Sequence, residues 1–580
     1  MKKIIYTILA VLALSSCNSW IEEKPDGLIT DEKIGDSNEA VNQWLTGTYS
    51  KWIDDMFRWG YFPKVLEFDA DYISGPDWLF GTFGAGNFQG ESSVTDALWK
   101  GCYGLIERCN NAERHIAAMD VPTQETKNNA IGELRFQKAL AYFMLVRAYG
   151  EVPIQGEGED AEDFAPRQCV DKVYSYIIRN LEEAAAMMYT RDNSAWQQGH
   201  ACAGSAAGLL AKVYATMAAA AMPEGTELVI RTGKAYDETG DKKVYAPLES
   251  ITMHKSAVKG YEGMDSKALY TKAAEWAGKV INGEYGHYEL LPYDRLWKKA
   301  SFGESEHMFY VGSVSGDATY KNSIHEMYEG YYTEKGADFL QSGGWVGCTR
   351  HWYDLFEHDD LRIVKGVKHR WRFHFHRESN SGFYYPQTKE YTRMATGYDE
   401  DTDTWGKPSG IYADGVSYYY SMDSQCLAFT TKYEDVTDNA IINADSNWPL
   451  LRYADVLLIY AEAMNELGED KAQEALEKLN IVRSRSNASL AQLTGQGALD
   501  TQLKRRSAII EERAKELACE ADRRWDLIRW GVYLEAMNAL GGSDDAGVSK
   551  SRQPRNLLYP IPAEEINTNK NINENNPGWN

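Results

Sequence analysis

Apolar residues recur at helical spacing through most of the chain. Between 96 and 120, Trp99, Tyr103, Ile106, Ala112 and Ile116 fall on one face, which predicts a helix with that stripe inward. Residues 125–149 repeat the pattern through Ile131, Leu134, Ala139, Phe143 and Val146, and Gly150 and Pro153 stop it. Three further helices are read at 170–188, at the alanine-rich 203–221 and at 267–282. Another lies at 472–486.

The stretch that organises the rest is WPLLRYADVLLIYAEAMNELG, residues 448–468. Pro449 sits where a helix tolerates its missing donor, and Gly468 is a natural stop. Val456, Leu457, Leu458, Ile459 and Tyr460 make the run apolar almost all round, so the helix is expected to be buried. Arg452, Asp455 and Glu462 interrupt it, and buried charges need partners. Arg452 and Asp455 are three apart and can face each other on one turn.

Between 285 and 432 the helical period is lost, and aromatics, glycines and short alternating runs take over. In KHRWRFHFHR (368–377), Trp371, Phe373 and Phe375 alternate with Arg370, Arg372, His374 and His376, which predicts a strand with one buried face. The result is a mainly α chain: a helical scaffold at 34–284, a loop-rich insertion with short β-strands at 285–432, and more scaffold at 433–580. The paired helices look like tetratricopeptide units without the strict 34-residue consensus.

The N-terminus reads as an export signal, 1–16. Lys2 and Lys3 precede an apolar run of about 11 residues, short of the about 20 needed to span a bilayer. Leu14-Ser15-Ser16-Cys17 reads as a lipobox with cleavage before an acylated Cys17, followed by a polar tether, 17–33. The formal charge of −24 disfavours nucleic acid and anionic lipid headgroups as partners. Of eight cysteines, Cys17 takes the lipid, and the rest are expected to be mostly buried free thiols.

LLRYADVLLIYAEAMNE resembles the signature helix of the SusD/RagB family, outer-membrane lipoproteins of Bacteroidetes that capture nutrients, usually glycans. IIEERAKELACEADRRWDLIRWG (509–531), YPIPAEEI (559–566) and NPGW (576–579) follow in the family's order. The resemblance implies a SusD-like fold, a non-catalytic surface lipoprotein, and a SusC-like TonB-dependent transporter as partner. Capture of peptides or another nutrient by the same fold, or a surface glycoside hydrolase, are the competing readings.

No G-x-S-x-G or Walker A motif occurs. His325-Glu326 begins an H-E-x-x-H pattern that Glu329 breaks. His369, His374 and His376 could grip a metal, but alternation with arginines favours a solvated face. Asp399, Asp401 and Asp403 could hold calcium, yet Thr404 stands where an EF-hand loop needs glycine. No cofactor is therefore expected. Aromatic residues make up 12 % of the chain, and flat rings stack on the C–H faces of sugars. Most belong to the core. Those in glycine-rich loops are the candidates: Trp78 and Trp345 as platforms, Trp405 as a third, and Asp77 and Asn87 as hydrogen-bonding partners. The family places glycan sites after the first helix and in the insertion, where these loops fall.

Overall fold

The helices Ser93–Ala118 and Gln124–Tyr149 pack side by side across a short turn. Thr123 opens the second by accepting from the Thr126 N–H, and Gly150 ends it with a φ of +71°, a conformation that only glycine adopts at no cost. A computed structural model of the chain supplies this description. It covers residues 34–579 apart from 59–60, 82, 87–92, 157–163, 240–241, 316–320, 330–343, 373–380, 423–425 and 438–443. The leader, Cys17 and the tether lie outside the described residues.

Each following helix packs on the one before it. Val170–Met187 leans on Gln124–Tyr149, Ala203–Ala221 on Val170–Met187, and Ser266–Ile281 on Ala203–Ala221. Tyr453–Leu467 then packs on Ser266–Ile281 and carries Ala472–Arg485 and Gln502–Glu516 on its other sides. The alanine-rich helix permits this closeness. At Gly208 an added Cβ would lie 2.9 Å from Met308 and 3.2 Å from Leu451 and Val456. One apolar core runs through the whole stack, with smaller clusters around Leu296 and Tyr412 beneath the insertion. Among the described residues no helix is long and apolar enough to cross a membrane.

Two expectations are corrected at the organising stretch. Trp448–Arg452 is a strand, paired antiparallel with His307–Val311, and the helix begins only at Tyr453. Pro449 favours extended backbone at Trp448, and pairing with His307–Val311 carries it on to Arg452. Arg452 and Asp455 do not pair. Arg452 lies at the strand-to-helix turn and reaches Glu306, Glu516 and Glu520, whereas Asp455 meets Lys212 and Arg513. Glu462 pairs with Arg529. The start of the helix thus faces two different neighbours instead of folding its charges onto itself.

A third difference lies within 34–284. Glu227–Thr232 pairs with Glu249–His254, and Tyr236–Thr239 with Lys242–Tyr245, inside a region read as wholly helical. The runs are only four to six residues long, too short to register against a helical window. In the insertion, Trp371 is buried on Arg370–Arg372, as its alternation predicts, and the strand joins Ser381–Tyr384 and Ser417–Tyr419. His374 and His376 lie outside the described residues. Six of the seven described cysteines are buried free thiols, and Cys169 is exposed.

Candidate ligand-binding site

Two segments far apart in sequence meet where Ile73–Ser74 pairs antiparallel with Gly347–Cys348. Just past this ladder the first segment turns at Pro76 into the short helix Asp77–Phe80, which carries Trp78. Just before it on the other segment stands Trp345. The pairing therefore sets the two indoles side by side, with centroids 5.1 Å apart and planes at 79°. Edge-to-face contact at this distance is a favoured aromatic geometry. Trp78 is 68 % exposed, while Trp345 is partly buried against the core. The outcome is a flat apolar ring presented to solvent and braced by a second ring fixed from below.

The chain forces this closeness by omitting side chains beneath it. A Cβ at Gly75 would come within 2.5 Å of both the Trp345 carbonyl oxygen and the Phe80 ring. Phe80 is fully buried and stacked on Phe68 at 4.1 Å, so it pins the short helix to the scaffold. The backbone N–H groups of Trp345 and Val346 both donate to the Met327 carbonyl, at 2.7 and 2.9 Å, which fixes the other platform.

Residues near the C-terminus hold the Trp78 segment from behind. The buried Lys550 ammonium donates to the Ala70 and Ile73 carbonyls, each at 2.8 Å. Arg552 donates to the Gly84 carbonyl at 2.5 Å, and Asn556 to that of Gly86 at 3.0 Å. Asp69 binds Arg552 at 2.8 Å and Arg524 at 2.9 Å, and Arg523 grips Asp71 with two bonds of 2.8 and 2.7 Å. Burial alone would raise the Asp69 carboxyl; Arg524 and Arg552 outweigh it and hold it below the usual carboxylate range. Burial pulls the Lys550 ammonium down from its usual value. Sequence reasoning did not single out these anchors. For Arg523 and Arg524 the signal is the density of arginines and acids in the apolar block around RRWDLIRW, since buried charges have to be paired.

Of the five predicted ligand residues, three come together. Asp77 is exposed and adjoins Trp78, and its carboxylate folds back over Gly81. Trp405 is 75 % exposed but belongs to a separate hairpin, Tyr398–Asp399 with Thr404–Trp405, where it packs on Tyr398 at 4.9 Å. Asn87 lies outside the described residues. The acidic turn engages its own surroundings: Asp401 pairs with Lys389, Asp403 accepts from the Tyr398 hydroxyl, and Asp399 lies 4.0 Å from Arg393. His325 bonds the Tyr433 carbonyl oxygen at 2.8 Å. Among the described residues no group of three or more His, Cys, Asp or Glu side chains could hold a metal.

Comparison with known proteins agrees with this architecture. The SusD family pattern matches residues 277–579, and one described as starch-binding associating with outer membrane matches 19–215. The prokaryotic membrane lipoprotein lipid attachment site matches 1–18, which includes Cys17. SusD-like protein P2 of Formosa agariphila is 25 % identical over 597 residues, covering all of both chains. The starch-binding protein SusD of Bacteroides thetaiotaomicron is 30 % identical over 131 residues, 23 % of this chain and 21 % of that one. A solved SusD homologue from Bacteroides thetaiotaomicron superposes with a TM-score of 0.70 at 21 % identity, over 95 % of this chain and 99 % of that one. A laminarin-binding SusD-like protein gives 0.60 at 21 % identity, over 93 % and 99 %.

Proposed function

Since the chain belongs to the SusD family, we propose that it captures glycan on the cell surface and passes it, uncut, to a SusC-like TonB-dependent transporter. It is a lipid-anchored outer-membrane protein, moored at Cys17, in a glycan-binding family. Two acyl chains or more give stable anchoring, and the tether then leaves the folded body free to face outward.

One observation carries the reading: the exposed indole of Trp78 braced edge-to-face by Trp345. A pyranose ring offers an apolar C–H face to the indole and hydroxyls to groups at its rim. Asp77, exposed and next in the chain to Trp78, is the residue we propose to accept from such a hydroxyl. Small-ligand sites are built in this way, with apolar walls and a few convergent polar groups. Trp405 serves as a second, separate contact for a longer chain. The names of relatives supply the first ligands to try, starch and laminarin.

Calorimetry or affinity electrophoresis against a polysaccharide panel tests the proposal. Trp78→Ala and Trp345→Ala are each expected to lose about 1–3 kcal/mol of affinity with the fold intact. Unchanged affinity in both variants would move the site elsewhere. Release of reducing ends from any bound polysaccharide at ordinary enzyme turnover would replace capture by hydrolysis.

A further inference from the structure

Away from the ring pair, a cavity of about 290 Å³ opens in the helical scaffold. Its walls are chiefly apolar and include Val146, Val170, Trp525 and Leu558. Four cations line it: Arg147, Lys259, Arg529 and Arg555. In a chain of net charge −24 such a grouping is unexpected.

Arg147 and Arg555 are half-buried, and they differ from the fully buried arginines of the fold. Arg362, Arg452, Arg513, Arg523 and Arg524 each hold a carboxylate. No carboxylate within ion-pair distance serves Arg147 among the described residues. Its Nε donates to the Phe143 carbonyl at 3.2 Å, and its guanidinium lies over the Phe143 and Trp525 rings at 4.0 and 5.1 Å. Asp522 and Asp526 act on it only from further off and are engaged by Lys212, Arg513 and Arg529. Arg555 lies over the Trp579 ring at 4.9 Å, and its Nε is buried with no hydrogen-bond acceptor among the described residues. Lys259 is exposed. Arg529, also on the wall, is neutralised by Glu462 and Asp526. Glu535 is the one carboxylate on the wall; it is exposed and accepts from the His254 N–H. A sequestered cation without a counter-charge is costly, and one aimed into an apolar cavity is complementary to an anion with an apolar body.

We propose that this cavity binds a small amphiphilic carboxylate, with its head on Arg147 and Arg555 and its apolar body against Val146, Val170 and Trp525. At about 30 Å³ per water-sized group, the volume admits an apolar body of about ten non-hydrogen atoms. Lys259 draws the anion in. Burial pulls the Arg147 guanidinium below its ordinary value, and a bound carboxylate would restore it.

Titration calorimetry of the full chain with 4-phenylbutanoate tests this, with 4-phenylbutanamide as the uncharged counterpart. The carboxylate is expected to bind saturably at one site, the amide at least about tenfold more weakly. Arg147→Met is expected to lose at least about tenfold in carboxylate affinity without lowering the ligand-free melting temperature, because it removes an uncompensated charge. Val258→Trp, which fills the cavity from its loop wall, is expected to abolish binding and serves if Arg147→Met does not fold. Trp78→Ala is expected to leave this binding unchanged, which separates the cavity from the sugar site. Absence of saturable binding, equal affinity for carboxylate and amide, or undiminished binding by Val258→Trp would overturn the proposal.

Discussion

Trp78 and Trp345 touch edge to face because a two-residue ladder, Ile73–Ser74 with Gly347–Cys348, brings their segments into register. The contact couples them energetically. Aromatic pairs of this geometry contribute about 0.5–1.5 kcal/mol beyond area burial. In a double-mutant cycle on glycan affinity, Trp78→Ala and Trp345→Ala together are expected to cost less than the sum of the singles. Removing Trp345 already lets Trp78 turn from its presenting position. Strict additivity in calorimetry would mean that the rings act separately.

Gly75 lets the two backbones approach, so Gly75→Ala tests the same geometry from below. Its Cβ would press on the Trp345 carbonyl and the Phe80 ring. The variant is expected to lose glycan affinity about tenfold and to lower the melting temperature. Gly47→Ala is the control. It lies inside the helix Asn38–Lys51 with nothing within 4 Å of the added methyl, and it is expected to stabilise by about 0.5–1 kcal/mol. A Gly75→Ala variant that binds like the parent would contradict the packing described.

The buried ion web beneath the signature helix gives a stability test. Arg452→Met leaves Glu306, Glu516 and Glu520 short of one guanidinium, with Arg485, Lys432 and Arg362 the remaining cations. Losing one partner of a buried set costs about 3–5 kcal/mol. Arg295→Met removes an exposed pair with Glu304 and is expected to cost about 0–1 kcal/mol. Circular dichroism melts of the two variants at one scan rate check the contrast. Equal melting temperatures would show that the web contributes no more than a surface pair.

Much of the scaffold was legible in the sequence because long helices repeat their period many times. The helix at 203–221 was read to the residue, and those at 125–149 and 170–188 to within one residue at either end. The stretch 448–452 differs from its helical expectation because the apolar run Trp448–Leu451 suits a strand as well as a helix end, and only the partner His307–Val311 decides between them. Arg452 and Asp455 were legible as charges that need partners, but not as to which partners, since those lie on other segments. The meeting of Trp78 and Trp345 followed from choosing rings in glycine loops; the anchors Lys550, Arg552 and Asn556 did not, because backbone carbonyls leave no mark in the sequence. Trp405 was legible as exposed and not as separate, since loop composition does not say which loops adjoin.

Glu67 supplies a pH-dependent prediction. It is buried beside Tyr328 and Cys519 and accepts from the Ala521 N–H. Burial pushes its carboxyl up to about 8 from a usual 4.5, although the Ala521 N–H opposes the rise. Below pH 4.5 the group is protonated in both the folded and unfolded chains. Between 4.5 and 8 the unfolded chain releases its proton first, so folding loses stability as pH rises. Above 8 both forms are ionised and the penalty is constant, on the order of a few kcal/mol. Glu67→Gln keeps an oxygen to accept from Ala521 and removes the ionisation. The variant is expected to match the parent near pH 4.5 and to melt at progressively higher temperature than the parent up to about pH 8, with a constant gap beyond. Glu329 and Asp545, each raised to about 7 chiefly by burial, titrate within the same window in both proteins, so the difference between the two melts isolates Glu67. A gap that does not change between pH 5 and 9 would show that Glu67 is already ionised in the folded chain.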